Sequence, residues 1–316
     1  MKYINMLNEG ERVNGIFFCK QKTSAVTKNG KEYGSLILQD KTGAIDGKIW
    51  NPSSPGIRDD FDAMDYVSVT GDVTVFNGSL QLNITSAQKA EEGSYSESDY
   101  LPASEYDIEE MYTELMNLVG KVKNTYLSEL IKKFFINDAN FIKSFKRHSA
   151  AKKVHHGFIG GLLEHTLGVV KLCNFVADRY SYLNKDLLLT AALFHDVGKV
   201  YELSAFPEND YTDDGQLLGH IVMGCEIIGN AVREIPGFTA ILERQLKHCI
   251  VAHHGEFEYG SPKKPALAEA LALHYADDMD AKLETFKEAI STPGAQNGEW
   301  TGFNKMLDSN IRKTII

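Results

Sequence analysis

The first ninety residues carry short apolar runs broken by turn residues, whereas later apolar positions recur at steps of three and four. A period of two marks a half-buried strand, and a period near 3.6 marks a helix packed along one side. Arg12 to Gln21, Tyr33 to Gln39, Ala44 to Trp50, Tyr66 to Phe76 and Ser79 to Ala87 read as strands. Between them lie Asn29-Gly30, Asp40-Lys41-Thr42-Gly43, a polar stretch over residues 51–65, and Asn77-Gly78. Asn-Gly between alternating runs is a strong hairpin signal. From Ile108 the helical spacing takes over and persists almost to the C-terminus.

This pattern predicts a two-domain chain: an N-terminal all-β barrel of the OB type over residues 1–90, a linker over 91–106 and an all-α domain over 107–316. Five strands with a longer excursion between the third and fourth fit an OB barrel, with an SH3-like barrel as the rival. On the third strand Ile45 and Ile49 share one face, and Lys48 and Trp50 the other. OB barrels bind single strands on such a face by stacking and charge, so Lys48 and Trp50 are candidate RNA-binding residues. Phe18, Tyr33 and Phe76 are weaker candidates for the same role. Residues 91–106 are polar and acidic, with Pro102 near their end, which is linker composition.

The net charge of −10 argues against a polyanionic partner until it is located. Residues 1–90 balance ten basic with ten acidic side chains, while 91–110 hold eight acids and no base. The acidity is therefore mostly a property of the linker, and neither domain is barred from an anion. The four cysteines lie far apart with no CxxC pair, as expected of reduced thiols in a cytoplasmic protein. No signal peptide is readable, and the most apolar run, Leu187 to Phe194, is too short to cross a bilayer, so no membrane partner is expected.

Three helical stretches each deliver potential metal ligands. Leu162, His165, Val169, Leu172 and Val176 share one apolar face. Leu188, Ala192 and His195 share another, with Asp196 following and Gly198 positioned to stop the helix. Ala270, Leu273, Asp277 and Ala281 form a third stripe that buries a carboxylate. A lone inward histidine is usually a satisfied core residue, but a buried carboxylate needs a cation, and three such helices could hold one together. Gly160-Gly161 reads as close helix packing rather than a phosphate loop.

The runs Gly161-Leu-Leu-Glu-His165-Thr-Leu, Ala192-Leu-Phe-His195-Asp196-Val-Gly-Lys199 and Tyr275-Ala-Asp277 resemble the HD superfamily of metal-dependent phosphohydrolases. The resemblance implies that His165, His195, Asp196 and Asp277 bind a divalent metal. His220, four residues before Gly224, and His253-His254 before Gly255 are similar to elements of HD subfamilies that hold a second ion. Carried over, they would bind that ion with Asp196 as the bridge; contact with substrate phosphate is the alternative. His248 and His274 match no motif position and are left structural. Mixed imidazole and carboxylate ligands suit Mn, Fe, Co or Zn better than Mg. Asp196 and Lys199 are the expected catalytic residues, the lysine neutralising a phosphate oxygen unless it merely caps a helix.

A basic stretch precedes the His165 helix: Lys143, Lys146, Arg147, His148, Lys152, Lys153, His155 and His156, with no acid among them. Such a run is usually a solvated face, but here it leads into a ligand helix, so Lys152, Lys153 and His156 join the RNA-binding candidates. The order of barrel, acidic linker and HD domain resembles the YhaM-type 3′–5′ exoribonucleases. That resemblance implies Mn-dependent removal of nucleotides from single-stranded RNA, with single-stranded DNA as a further substrate. Direction and sugar preference come from the resemblance alone. The rivals are an HD hydrolase of nucleotides or cyclic dinucleotides and a non-catalytic RNA-binding protein. Assembly into a homo-oligomer is compatible with all three. Trp300 and Phe303 in the tail could cap the helical core or stack on RNA, and packing is the favoured reading.

Overall fold

A computed structural model describes residues 2–27, 29–152, 156–291 and 300–314. The chain forms two compact units, Met1–Ala103 and Ser104–Ile316.

The first unit is a closed five-stranded barrel. Its strands are β1 (Arg12–Val26), β2 (Glu32–Asp40), β3 (Gly43–Ile49), β4 (Tyr66–Phe76) and β5 (Ser79–Lys89), in the order β1-β2-β3-β5-β4. β1 closes the ring by pairing antiparallel with β4, and the β3–β5 pair is parallel. This is the OB arrangement, and the SH3-like alternative falls away. Phe17, Leu36, Leu38, Val67, Val69 and Leu82 fill the interior. Gly47 leaves room for Ile84 there, since a Cβ on it would lie 2.8 Å from the Ile84 Cδ1 and oblige that side chain to turn aside.

The expected linker is only partly one. Tyr95 stacks on Tyr66 at 3.9 Å between ring centroids, and Tyr100 meets both edge-on. Tyr100 and Leu101 are buried, and Asp99 pairs with Lys41 and accepts from the Tyr3 hydroxyl. Residues 91–103 therefore belong to the barrel unit. Their acidic composition concealed three apolar anchors. Phe18 is also core, tilted against Tyr66 at 5.4 Å, and is unavailable for stacking on a ligand.

The second unit contains α1 (Ile108–Val119), α2 (Thr125–Phe135), α3 (Ala139–Arg147), α4 (Gly161–Arg179), α5 (Lys185–Phe194), α6 (Lys199–Glu202), α7 (Asp213–Arg233), α8 (Ala240–Val251) and α9 (Ala268–Ser291). Asp107, Asn124, Asp138, Asn184, Thr212 and Thr239 cap six of them, each accepting from a first-turn amide. α5 is buried on every side, which explains its continuous apolar run. Ahead of α4, a Cβ on Gly161 would lie 1.9 Å from the His156 carbonyl oxygen, so the glycine pair does serve close packing. The unit is not wholly helical. The tail forms a hairpin of β6 (Trp300–Asn304) and β7 (Ser309–Arg312), in which Ile311 is buried while Trp300 and Phe303 point outward. No helix among the described residues is long and apolar enough to cross a membrane.

His148, which caps α3, is buried and its Nε2 lies 3.0 Å from the Val200 carbonyl oxygen. Burial lowers its pKa to about 4. The unfolded chain thus binds the extra proton first as pH falls, and stability present above about pH 6.5 is lost towards pH 4. The loss should reach about 3 kcal/mol. Urea titrations at pH 7 and pH 4.5 should show a smaller acid penalty in His148→Gln than in the natural chain. Equal penalties would sink this assignment.

Candidate metal centre

His165 sits in the second turn of α4 and is buried. α5 ends at Phe194, and His195 and Asp196 occupy the turn leading to Lys199 at the start of α6. α7 breaks at Gly219, whose φ of 74° and ψ of 157° leave the helix, so His220 opens its second segment. His253 and His254 lie just past the end of α8, before Gly255 at φ 76°. Asp277 projects from α9. Gly198 does not stop a helix by a left-handed turn, since its φ is −62°. It admits a neighbour instead: a Cβ there would lie 2.1 Å from the His220 carbonyl oxygen.

Asp196 lies at the centre and is buried. Its Oδ2 lies 3.5 Å from His165 Nε2, 3.4 Å from His195 Nε2 and 2.6 Å from Lys199 Nζ. Its Oδ1 faces the other way, 3.5 Å from His220 Nε2 and 3.7 Å from His253 Nε2. Asp277 Oδ1 is 3.1 Å from His165 Nε2 and 3.8 Å from His195 Nε2. The seven residues singled out as ligands thus form two groups that share Asp196. In His165, His195 and Asp277, and again in His220, His253 and His254, one potential donor atom per residue lies within 4.8 Å of the others.

Backbone and carboxylate partners aim these rings. His195 Nδ1 bonds to the Ala192 carbonyl at 2.8 Å, His253 Nδ1 to that of Ile250 at 2.6 Å and His254 Nδ1 to that of Tyr259 at 2.9 Å. With Nδ1 donating, each Nε2 keeps its lone pair for the centre. Two carboxylates escaped the sequence reading. Asp280 Oδ2 lies 2.7 Å from His165 Nδ1, and Glu202 Oε1 accepts from the His220 amide at 2.9 Å while lying 3.0 Å from its Nδ1. Asp280 gets close because a Cβ on Gly168 would be 2.1 Å from its Oδ1. Each sits three residues after a recognised position, Asp277 or Lys199, which was the available signal.

The electrostatics are those of a cation site. Burial alone would raise the Asp196 pKa, but the Lys199 ammonium and the surrounding imidazoles hold it far below the carboxylate range. Lys199 is raised in turn, since Asp196 outweighs the cost of burial. Burial pushes His253 and His254 down, which leaves them neutral and able to donate lone pairs. Asp196 Oδ1, His220 Nε2 and His253 Nε2 are buried without any hydrogen-bond partner. Three such atoms converging on one point are costly unless something satisfies them all, and a divalent cation does. The donor set therefore fits a metal.

Residues 162–282 match the family model for the HD domain. The helical unit carries an HD domain. HD domains bind divalent metals, in agreement with the donor set found here. Residues 16–90 match the model for the OB-fold nucleic acid binding domain, which covers the barrel. Among solved structures, the second OB-fold domain of replication protein A from Methanococcus maripaludis is 24% identical over 29% of this chain and 96% of its own, with a TM-score of 0.22. A replication protein A heterotrimer bound to ssDNA matches at 17% identity over 28% of this chain, with a TM-score of 0.21. The chain spans 64% of the length of that structure.

The remaining candidates divide. Lys199 does not cap α5 but pairs with Asp196 beside the cavity of the HD domain. His156 is buried rather than solvent-facing, with Nε2 3.9 Å from Asp280 Oδ2 and its ring 5.3 Å from that of His165. Lys152 pairs with Asp210, and Lys153 and His155 lie outside the described residues. Lys146 pairs with Glu109 at 2.6 Å, and His148 is core, so the basic stretch is not one continuous face. On the barrel Trp50 is exposed, tilted against Tyr33 at 5.1 Å, and donates its indole N–H to Asn83 Oδ1 at 2.9 Å. Lys48 is half-buried and holds Asp46 and Ser35. Of the histidines left structural in the sequence, His248 Nε2 accepts from the Ala266 amide, while His274 Nδ1 bonds to the His253 carbonyl and the residue lines the cavity.

If the second group holds its own ion, His254→Ala should lower bound metal by about half and leave helical content intact. Elemental analysis of the folded variant checks this. Unchanged stoichiometry with impaired kinetics would mean that these histidines touch substrate only.

Proposed function

We propose that this chain is a 3′–5′ exoribonuclease of the YhaM type, dependent on Mn²⁺ and acting on single-stranded RNA and also single-stranded DNA. The observation that carries the reading is the buried Asp196 carboxylate, whose two oxygens address separate groups of ligands. A phosphodiester in attack presents one oxygen to the nucleophile side and another to the leaving side, which is the demand a two-ion cradle meets. A divalent ion held there supplies positive charge and lowers the pKa of a water from about 15.7 towards about 7. His165, His195 and Asp277 would hold one ion and His220, His253 and His254 the other, with Asp196 between the two groups. Lys199 offers its ammonium to a phosphate oxygen while fixing the Asp196 carboxylate. An OB-fold nucleic acid binding domain in the same chain supports a polymeric substrate over a free nucleotide. Direction and preference for RNA rest on the resemblance to the YhaM type.

The test is purified protein with Mn²⁺ on 5′-labelled single-stranded RNA. A descending ladder with release of mononucleotides is expected. Internal cuts, or activity confined to free nucleotides or cyclic dinucleotides, would overturn it.

A further inference from the structure

The cavity over the histidines and aspartates has a volume of about 340 Å³. His165, Asp196, Lys199, His220, His254 and Asp277 line it together with Tyr211 and Tyr259. Both tyrosines are exposed, at 44% and 59%. Among the described residues neither ring meets another aromatic ring, and neither phenol hydroxyl has a hydrogen-bond partner. An exposed ring that meets no other aromatic ring at the edge of such a cavity is open to a ligand.

The backbone of each residue is nevertheless tied to the site. The Tyr259 carbonyl is the acceptor that aims His254, at 2.9 Å, and the turn Phe257–Tyr259 ends at Gly260 in a left-handed conformation. Tyr211 pairs with Leu203 across a β-bridge just beyond α6, and its amide donates to Asp210 Oδ1 at 2.7 Å. Lys152 Nζ lies 5.8 Å from the Tyr211 ring centroid. Thus the same short connections that fix His254 and α6 also fix where these two rings stand.

We propose that Tyr211 and Tyr259 are the nucleobase-binding surface of the active site, receiving by stacking the base of the nucleotide being released. The inference rests on the proposed nuclease reading and deepens it. Stacking on a phenol ring is available to every base, so the site requires a base but does not select one. A nucleotide whose phosphate is held in this cavity brings its base into the same cavity, where the two tyrosines are the exposed phenol rings among the lining residues.

The experiment compares Tyr211→Ala, Tyr259→Ala and the two phenylalanine variants on two RNAs, one ordinary and one with an abasic 3′-terminal nucleotide. Metal content is measured in parallel. On ordinary RNA each alanine variant should raise KM by about five- to a hundredfold, with little change in kcat or bound metal. Phenylalanine, which keeps the ring, should recover most of the loss. The natural enzyme should already show the raised KM on the abasic RNA, with no further rise in the alanine variants. An equal penalty on both RNAs, or loss of metal, would mean a structural role and overturn the assignment. Unchanged KM on ordinary RNA would do the same. Natural protein that cleaves neither RNA would instead sink the nuclease reading itself.

Discussion

Asp196→Asn should reduce turnover by orders of magnitude and strip most of the bound metal. The carboxylate is the one group common to both ligand sets, at 3.4 and 3.5 Å from the imidazoles on one side and 3.5 and 3.7 Å on the other. An amide of the same shape keeps one acceptor oxygen but loses the negative charge and presents an NH₂ to the other set. That NH₂ would face His220 and His253 or else displace Lys199, so neither orientation restores the cradle. Loss of a bridging ligand removes charge from both ions, whereas loss of a terminal histidine weakens only one. The variant also leaves Lys199 buried without its anion, so thermal unfolding must be followed beside elemental analysis and RNA turnover. A folded variant with full metal and ordinary turnover would dismiss the site.

Trp50→Ala should weaken binding of single-stranded RNA by about five- to a hundredfold while hydrolysis of a minimal phosphodiester stays unchanged. Trp50 is exposed and follows β3 directly, and its indole N–H bond to Asn83 fixes the ring beside Tyr33. If the barrel holds single strands, these two neighbouring rings are where successive bases would stack. Lys48 differs in kind. Its ammonium already holds Asp46 at 3.0 Å and Ser35 at 2.6 Å, so Lys48→Ala should flatten the salt dependence of binding only slightly. Affinities at several salt concentrations separate the two effects. If Trp50→Ala binds long RNA as tightly as the natural chain, the platform lies elsewhere.

Much of this was legible in the sequence for physical reasons. The barrel strands announced themselves through alternation and Asn-Gly turns, and α5 through a continuous apolar run that only a fully enclosed helix permits. The candidates His165, His195, Asp196 and Asp277 were legible because imidazoles and carboxylates on apolar faces need a cation, whereas His220, His253 and His254 came from the resemblance to HD subfamilies alone. Other features were not legible. Tyr95, Tyr100 and Leu101 sit in an acidic segment with no periodicity, and only tertiary contact with Tyr66 reveals them as anchors. Asp280 and Glu202 looked like ordinary helix-surface acids, because pattern alone does not tell an outward carboxylate from one turned onto a histidine. His156 was read as part of a positive run, whereas its neighbours in space are His165 and Asp280. The two tail strands were hidden behind glycines and a short apolar content that matched neither period.

The pairing of His165 on α4 with Asp280 on α9 joins positions 115 residues apart. During synthesis, a chain that has not yet reached α9 holds His165, His195 and Asp196 in a half-built interior with two of their carboxylate partners still missing. Docking of α9 is what brings Asp277 and Asp280 to His165. Premature termination before Asp277 would leave a product that neither captures metal nor survives proteolysis, rather than a partly active enzyme.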